Sequence, residues 1–581
     1  MSSDARRFVA AFSLFLLLLP SSLSAQQIPS LGETIEVSIV NVEVFVTDKQ
    51  GNRVRGLTRG DFEIRENGKT QPITNFAEYA PEGGEGRGTV TVDAPSAPGE
   101  PAAVPASAAP VKRTIVVFVD AFTMPDFHAR DFFGGIRDLM RRTVRPGDAV
   151  AVVTWSGLSL IRQEFTDDLD AIEAALAKVE EESTGPFNDP TAYARRQEAF
   201  ELALQSDLMA AGYAVDAGAS ASFAALSEAT FERYRIKQKT AAIQSFIQSM
   251  SGVEGKKLMI LAMNRYGAYA GTEYFGGQIP FRNIGELDTR QYRDELARTA
   301  NANGITLYPL YPPGLLWTPR ATAMESRADI YTIDSDQDIA RSAVDHNVLM
   351  NETASLTELA DRTGGLSHYG SKNIVELLPR IADDIESYYS LGYRATTHGR
   401  DDARKVVVVP KNRNYVVRSR DQFVEKSDQT KMNDRVVANL FQPLDTAAIP
   451  IEAEIGAWKR TAKNRWTAPL KVRVPVSALT TIAGTDGASG GFSVYVASGG
   501  ILGVMGDVER RTQPFTIPQG ELARTKDTHF TYELTLEVDQ VTRRISIGVL
   551  DEVSREYGLM RIEVAPQPRK NAVDGGTLPA S

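Results

Sequence analysis

Cysteine is absent from the 581 residues, and histidine occurs only five times. Without cysteine the chain has no disulfide bond, no thiolate nucleophile and no cysteine-ligated zinc. The histidines show no His-Glu-x-x-His spacing, so zinc hydrolysis lacks its sequence signature. We therefore predict that the protein is not an enzyme and needs no cofactor. A hydrolase with an unrecognised site stays as the third of three hypotheses.

Positive charge is scarce relative to negative charge. The chain has 64 Lys and Arg residues against 74 Asp and Glu residues, a formal net charge of -10, and no long basic run. This balance offers no electrostatic attraction for a phosphate backbone or an anionic membrane surface. We therefore expect no nucleic-acid partner.

One long apolar run lies near the N-terminus. Arg6 and Arg7 precede an apolar stretch over residues 8–19, and a small-residue stretch follows that ends at Ala25. This order of basic, apolar and small residues is typical of a secretory signal. We predict cleavage after Ala25 and a secreted or periplasmic protein without a transmembrane segment. A retained membrane anchor is the alternative, although the run is shorter than the about 20 residues that span a bilayer.

The length of the chain predicts several domains, because one core rarely serves more than about 300 residues. Residues 35–80 alternate apolar and polar side chains as strands do, and residues 387–425 could complete the same β unit. Residues 81–111 are rich in Pro, Gly and Ala and are interpreted as a linker. Residues 435–565 carry about seven short strand patterns, typical of an immunoglobulin-like β-sandwich. Residues 566–581 are predicted to be a disordered tail.

Residues 112–394 show a different pattern, in which short apolar runs alternate with amphipathic helices. The runs cover residues 114–119, 149–154, 258–263 and 305–310. Nearly all-apolar runs of this length are typical of strands buried on both faces of a parallel sheet. We predict a doubly wound, Rossmann-like α/β domain. Two long segments are predicted to be insertions: an Ala-rich pair of helices at residues 185–250 and a polar excursion at residues 313–350.

Several short motifs resemble those of one known family. They are VEVFVTD at residues 42–48, DFEIRENGK at 61–69, RPGD at 145–148, NGITLY at 303–308, LADRTGG at 359–365 and YYSLGY at 388–393. Together they resemble the von Willebrand factor type A-related proteins typical of Acidobacteria, over most of residues 35–420. The resemblance implies a type A-like α/β domain beside the N-terminal β unit. The insertions and the sandwich lie outside it.

Type A domains generally bind a partner through a Mg²⁺ ion held at the carboxyl edge of the sheet. Such a site needs hard oxygen ligands. The family motif Asp-x-Ser-x-Ser corresponds here to Asp120, Ala121, Phe122, Thr123 and Met124. Only the first carboxylate is kept, because Phe122 and Met124 offer no oxygen and Thr123 stands in the wrong register.

The other expected ligands are also doubtful. The loop threonine of the family corresponds to Thr184 or Thr191, and Asn264 and Arg265 stand where a further aspartate is expected. We therefore predict a degenerate site, in which the remaining metal-ligand candidates are Asp120, Thr123 and Asn264. Alternatively, Asp120 caps the following helix or pairs with Arg265.

Two functions remain beside the hydrolase. The first is a metal-independent protein-binding or scaffolding module of the cell envelope, with Asp120, Phe122, Met124 and Arg265 as candidate partner-binding residues. The second is an adhesion protein that uses Mg²⁺ or Ca²⁺ in a remodelled site. The two insertions either form a cap over the same edge or cover apolar surface and dimerise.

One acidic segment has the spacing of a calcium loop. Asp334, Asp336 and Asp338 occupy alternate positions, but Ile339 follows where the loop requires glycine, and Asp345 replaces the final glutamate. We interpret this segment as a solvated acidic loop and helix cap.

Overall fold

The protein is described from a computed structural model. It describes residues 39–79, 91–92, 112–121, 129–157, 159–184, 218–275, 279, 281–311, 335–367, 377–395, 401–444, 448–485, 487–500, 506–525, 527–539 and 542–564. The predicted signal, the predicted tail and most of the predicted linker lie outside these ranges. The chain is mixed α/β with several sheets, which confirms the coarse fold class.

The first strands belong to a β domain. They are β1 (Ile39–Thr47), β2 (Phe62–Glu66), β3 (Lys69–Gln71), β4 (Ile73–Tyr79) and β5 (Thr91–Val92), with a short 3₁₀ turn at Arg59–Asp61. Asn67 and Gly68 join β2 to β3 with φ angles of 47° and 81°. An Asn-Gly pair favours such a tight hairpin, because both positions need positive φ. β5 lies inside the predicted linker and pairs with Ala77 and Glu78 of β4.

The α/β domain follows. Its strands are β6 (Arg113–Asp120), β7 (Ala149–Trp155), β8 (Ser159–Thr166), β9 (Lys256–Ala262) and β10 (Ile305–Leu310). Its helices are α1 (Ala129–Thr143), α2 (Leu169–Thr184), α3 (Gly218–Ser251), α4 (Ile284–Leu287), α5 (Arg290–Ala302), α6 (Ser335–Thr363) and α7 (Leu378–Glu386). Short 3₁₀ turns lie at Thr272–Phe275 and Phe281–Asn283.

The strands of this domain lie in the order β8-β7-β6-β9-β10. β6, β7, β9 and β10 are parallel, whereas β8 runs antiparallel to β7. Helices α1, α2 and α7 pack on one face of the sheet, and α3, α5 and α6 pack on the other. The four parallel strands lie within two residues of the predicted runs. β8 was missed, because an edge strand of half-buried residues carries no all-apolar run.

Helix α3 differs from the insertion predicted at residues 185–250. Residues 218–251 form one continuous helix of 34 residues. Ile236, Ile243 and Met250 recur every seven residues and are buried against the sheet. The C-terminal half of α3 is therefore a layer of the α/β domain, immediately before β9. The rest of this predicted insertion, residues 185–217, lies outside the described residues.

After α7 the chain returns to the β domain. The added strands are β11 (Tyr388–Arg394), β12 (Ala403–Pro410), β13 (Val416–Arg418) and β14 (Gln422–Val424). The two sheets have the orders β13-β1-β11-β4-β5 and β14-β12-β2-β3, and they share one apolar core. The α/β domain thus lies between β5 and β11 in the chain, and both of its ends connect to the β domain.

A second β region completes the chain. It contains α8 (Asp428–Phe441), α9 (Leu522–Thr525), β15 (Glu452–Ile455), β16 (Lys459–Ala462), β17 (Arg465–Pro475), β18 (Ile482–Gly484), β19 (Gly487–Gly500), β20 (Glu509–Pro518), β21 (His529–Asp539), β22 (Thr542–Asp551) and β23 (Tyr557–Glu563), with a 3₁₀ turn at Val476–Ala478. Two antiparallel sheets enclose one core.

The predicted start of the sandwich at residue 435 falls inside α8. Ser427 caps this helix, because its hydroxyl accepts a hydrogen bond from the Thr430 amide at 3.2 Å. Among the strands, β16, β18 and β20 were not predicted. β20 lies at an edge and is mostly exposed, so it lacks the apolar alternation that marks its neighbours.

Candidate functional site

The topology of the parallel sheet makes its carboxyl edge the candidate binding site. The next parallel strand after β6, β7, lies on one side of it, whereas β9 and β10 lie on the other side. The strand order therefore reverses at β6. In open α/β sheets, ligands bind outside the carboxyl ends of the strands at such a switch point. Asp120 is the last residue of β6, and Asn264 and Arg265 follow β9. The structure therefore places three of the predicted site residues around the switch point.

Asp120 is fully buried, and its carboxylate forms an ion pair with the Lys239 ammonium. Lys239 is itself only 1% exposed. Its Nζ also donates hydrogen bonds to the carbonyl oxygens of Asn264 at 2.7 Å and Arg265 at 3.4 Å. A buried charge is tolerated when it is paired and hydrogen-bonded. One ammonium group thus holds together the two strand ends that border the switch point.

Lys239 was not singled out from the sequence, although a signal was present. It lies on α3 between Ile236 and Ile243, on the face that packs against the sheet. A lysine in the middle of an apolar helical stripe needs a buried anion or a path to solvent. Trp155, paired with Asp120 across β6 and β7, lies beside it, with Nζ 5.7 Å from the ring centroid.

The loop after β9 has an unusual backbone at Arg265, where φ is 51°. A left-handed conformation costs energy for a non-glycine residue and persists only where the surroundings enforce it. Here α6 supplies the constraint. The Glu352 carboxylate accepts a hydrogen bond from the Tyr266 amide at 2.6 Å, and the Asn351 side chain bonds the backbone of Tyr269 in both directions. The loop is therefore preorganised.

Tyr266 connects the same loop to α3. Its hydroxyl lies 2.7 Å from the Thr240 hydroxyl, one residue beyond Lys239. Burial raises the pKa of the Tyr266 phenol, so it stays protonated and able to donate. The loop, the lysine helix and α6 thus form one connected polar cluster at the carboxyl edge.

A divalent cation does not fit the residues described at this edge. Mg²⁺ requires several hard oxygen ligands around a central position. The Asp120 carboxylate is instead bonded by an ammonium, and that ammonium also occupies the carbonyls of Asn264 and Arg265. Asn264 thus offers its main-chain oxygen to Lys239. No metal chemistry is derived for this site.

Several predicted site residues cannot be placed. Phe122, Thr123, Met124 and Thr191 lie outside the described residues. Thr184 is the last residue of α2. The proposals that Phe122 and Met124 bind a partner, and that Thr123 ligates a metal, therefore stay predictions.

The acidic segment with calcium-like spacing is helical. Asp336 and Asp338 lie in the first turn of α6, and Asp334 lies outside the described residues. A calcium loop needs a turn in order to direct alternate side chains at one ion. The helical geometry therefore contradicts a loop over residues 335–345. In the described part of the chain, no three His, Asp or Glu residues are grouped so that they could hold a metal ion.

One Gly-x-Ser-x-Gly string occurs at residues 487–491, centred on Ser489. A nucleophile elbow places such a serine on a sharp turn between a strand and a helix. Here the string lies inside β19, and the Ser489 hydroxyl is 3.0 Å from that of Thr516 across the antiparallel ladder. The string is therefore part of a sheet in this protein.

The opposite, amino edge of the parallel sheet adjoins the β domain. Asp384 of α7 is 2% exposed and lies between Arg53 and Arg418, at 2.9 Å and 2.8 Å. The Tyr308 hydroxyl of β10 lies 3.3 Å from the same carboxylate, and burial raises the pKa of this phenol well above its usual range. Two arginines of the β domain and an aspartate of the α/β domain thus form the ionic junction between them.

Comparison with known proteins gives no family assignment. No family model and no curated protein matches the sequence. Among solved structures, an aerotolerance-related membrane protein from Bacteroides fragilis is 11% identical, covers 47% of this chain and 98% of its own, with a TM-score of 0.22. The conserved hypothetical protein BatB from Bacteroides thetaiotaomicron is 9% identical, with coverages of 47% and 97% and a TM-score of 0.21. TM-scores this low carry no argument about this chain.

The described helices differ from membrane-spanning helices in length or in apolar composition. Within the described ranges, none combines enough length with enough apolar character to cross a bilayer.

Proposed function

We propose that this chain is an exported, non-enzymatic protein-binding module of the cell envelope, built on a type A-like domain that recognises its partner without a metal ion. One observation carries the proposal: the Lys239 ammonium binds the Asp120 carboxylate and the carbonyls beyond β9. A tethered cation thus stands where a free one would have to bind. The strand order β8-β7-β6-β9-β10 supports the type A-like assignment.

Exposed apolar side chains support recognition at the same edge. Phe231 and Tyr234 are 45% and 56% exposed, and they precede Lys239 on α3. Because a helix rises about 1.5 Å per residue, Phe231 lies roughly 12 Å from Lys239 along the axis of α3. Met350, 36% exposed, adjoins Asn351 on α6. Exposed aromatic and methionine side chains are enriched where proteins bind one another.

A partner at this edge is tested by site-specific photo-crosslinking in the native cell envelope. A photoreactive amino acid replaces Tyr269, a half-buried residue of the loop after β9. The matched control places the same amino acid at Thr461, on the exposed strand β16 of the sandwich. We expect one discrete crosslinked species from position 269 that persists in EDTA and does not form from position 461.

Two results would contradict the proposal. Loss of the position 269 species in EDTA would favour the metal-dependent adhesion protein. Equal crosslinking from both positions, or none from 269, would remove the carboxyl edge as the binding surface. Turnover of peptide, ester or glycoside panels by the purified protein, abolished by a single substitution, would instead favour the hydrolase.

A further inference from the structure

A cavity of about 410 Å³ lies at the amino edge of the parallel sheet, between the α/β domain and the β domain. Lys256 and Lys257 begin β9 and line it from one side, and Ile305 begins β10 nearby. The β domain contributes Glu43 and Arg420. Cavities that hold small molecules commonly measure about 300–1,000 Å³. Asp120, at the far end of β6, lies at the opposite edge of the sheet, so the two sites share no residue.

Positive charge dominates the lining of this cavity. Four cationic side chains, Lys256, Lys257, Arg420 and Lys426, face one carboxylate, that of Glu43. Asp434, which does not line the cavity, pairs with Lys426. An excess of two positive charges therefore remains even when Asp434 is counted. Such an excess is unusual in a chain whose formal net charge is -10.

Lys256 is 1% exposed, and its ion pair with the Glu43 carboxylate is long. Its Nζ donates to the Asp384 main-chain oxygen at 2.6 Å and lies 3.7 Å from the centroid of the Tyr388 ring. The Glu43 carboxylate is 3.8 Å away, beyond hydrogen-bond distance. Burial lowers the pKa of Lys256 to about 8, and Glu43 and Asp384 offset only part of that effect. The ammonium is held by a carbonyl and a ring.

The positive charge of Lys257 is compensated even less than that of Lys256. Its Nζ donates to the carbonyl oxygens of Val253 at 3.0 Å and Ser251 at 3.4 Å. Burial, followed by repulsion from Lys426 and Arg420, lowers the pKa of Lys257 to about 8. Two neighbouring lysines therefore carry charge that the surrounding protein does not balance.

Arg420 leaves a donor unused at the same place. One of its Nη atoms donates to the Asn41 carbonyl, and within the described residues its buried Nε has no hydrogen-bond partner. A buried donor without an acceptor loses its hydrogen bond to water and is destabilising. The backbone of Gly304 borders the guanidinium closely, because a Cβ there would lie 3.0 Å from Arg420 Nη1. The guanidinium is thus fixed beside the cavity with hydrogen-bonding capacity to spare.

Aromatic rings form a wall of the cavity. Tyr79 and Tyr388 stack with ring centroids 4.6 Å apart, and Phe45 and Phe423 lie beside them in the lining. Apolar walls exclude water and strengthen the attraction between the fixed cations and an anion.

We propose that this cavity binds a small oxyanion ligand that carries at least two negative charges. The ligand's phosphate or carboxylate oxygens accept hydrogen bonds from Lys257, Lys426 and Arg420, and its charge neutralises the excess of the lining. Because the cavity lies between two domains, the bound ligand also stabilises their junction.

The test is isothermal titration calorimetry on the full chain at pH 7, where both lysines are protonated. Pyrophosphate and citrate serve as probes in separate titrations, which distinguish a phosphate ligand from a carboxylate ligand. The variant is Lys257→Met, which keeps the aliphatic stem. Lys463→Met, at an exposed position of the sandwich, makes the same change in net charge.

We expect saturable binding of at least one probe, weakened tenfold or more by Lys257→Met and unchanged by Lys463→Met. Arg420→Gln gives a second variant with the same expected loss, in case Lys257→Met does not fold. Failure of the folded wild-type chain to bind either probe would overturn the proposal. Equal affinities for Lys257→Met, Arg420→Gln and wild type would also overturn it.

Discussion

The two edges of the parallel sheet handle buried charge in opposite ways. At the carboxyl edge one aspartate, Asp120, meets one lysine, Lys239, and the ammonium group is completed by two main-chain carbonyls. At the amino edge Lys256, Lys257 and Arg420 line a cavity with too few carboxylates. The first arrangement is balanced within the protein, and the second is not.

The difference separates recognition of a surface from recognition of a small ion. Under the proposed function, a partner binds the carboxyl edge through shape and apolar contacts, because the Asp120–Lys239 pair is already neutralised. Unbalanced cations around a cavity attract an anion small enough to enter. Within this sheet, buried charge therefore points to a ligand only where the protein does not compensate that charge.

The largest expected effect comes from breaking the balanced pair. Lys239→Met removes the ammonium that pairs with the buried Asp120 carboxylate and is expected to lower the free energy of unfolding by about 3–5 kcal/mol. Chemical denaturation measures this. The matched control is Lys471→Met, which breaks an exposed pair with Glu533 at 2.9 Å and should cost less than about 1 kcal/mol. Equal losses for the two variants would show that Asp120 is not compensated by Lys239.

A smaller loss is expected at the ionic junction of the amino edge. Asp384→Asn removes the carboxylate between Arg53 and Arg418 and adds to the positive excess there. We expect the free energy of unfolding, measured by urea denaturation, to fall by about 2–4 kcal/mol. This is slightly less than the loss from removing one partner of a buried ion pair altogether, because the amide still accepts a hydrogen bond. Asp383→Asn, at the neighbouring exposed position, should change little. Similar losses at both positions would argue against a specific junction.

The pH dependence of stability distinguishes the edges further. Burial lowers the pKa of Lys256 from 10.5 to about 8, so between these values the unfolded chain binds a proton that the folded chain does not. Wild-type stability relative to Lys256→Met should therefore rise by up to roughly 3 kcal/mol as pH rises from 8 to 10.5. The gain is lost as pH falls through about 8. If the stability difference between wild type and Lys256→Met stayed constant with pH, the claim that the charge of Lys256 is uncompensated would be contradicted.

Much of the fold was accessible from the sequence, because its elements have strong local patterns. The runs that became β6, β7, β9 and β10 are apolar on both faces, and only strands of a central parallel sheet need that composition. β8 is a half-buried edge strand, and β16 and β20 carry mostly polar, exposed residues at sheet edges. No local pattern distinguishes such segments from loops.

The site was predictable only in part. Asp120 was identified through the resemblance of residues 120–124 to the family motif Asp-x-Ser-x-Ser, and the departures from that motif lie at its neighbours. Lys239 lies more than a hundred residues along the chain, on a helix assigned to an insertion, and nothing local links it to Asp120. The positive cavity was missed for the same reason, since Arg420 and Lys256 come from different domains. Long-range pairing of charges depends on the tertiary fold.

The most direct test of the central claim is calorimetric titration of Mg²⁺, Mn²⁺ and Ca²⁺ into the full chain, beside an Asp120→Asn variant. If the Lys239 ammonium takes the place of a bound cation, wild type shows no saturable heat with any of the three ions and does not differ from the variant. Saturable one-to-one binding by wild type that Asp120→Asn abolishes would contradict the account.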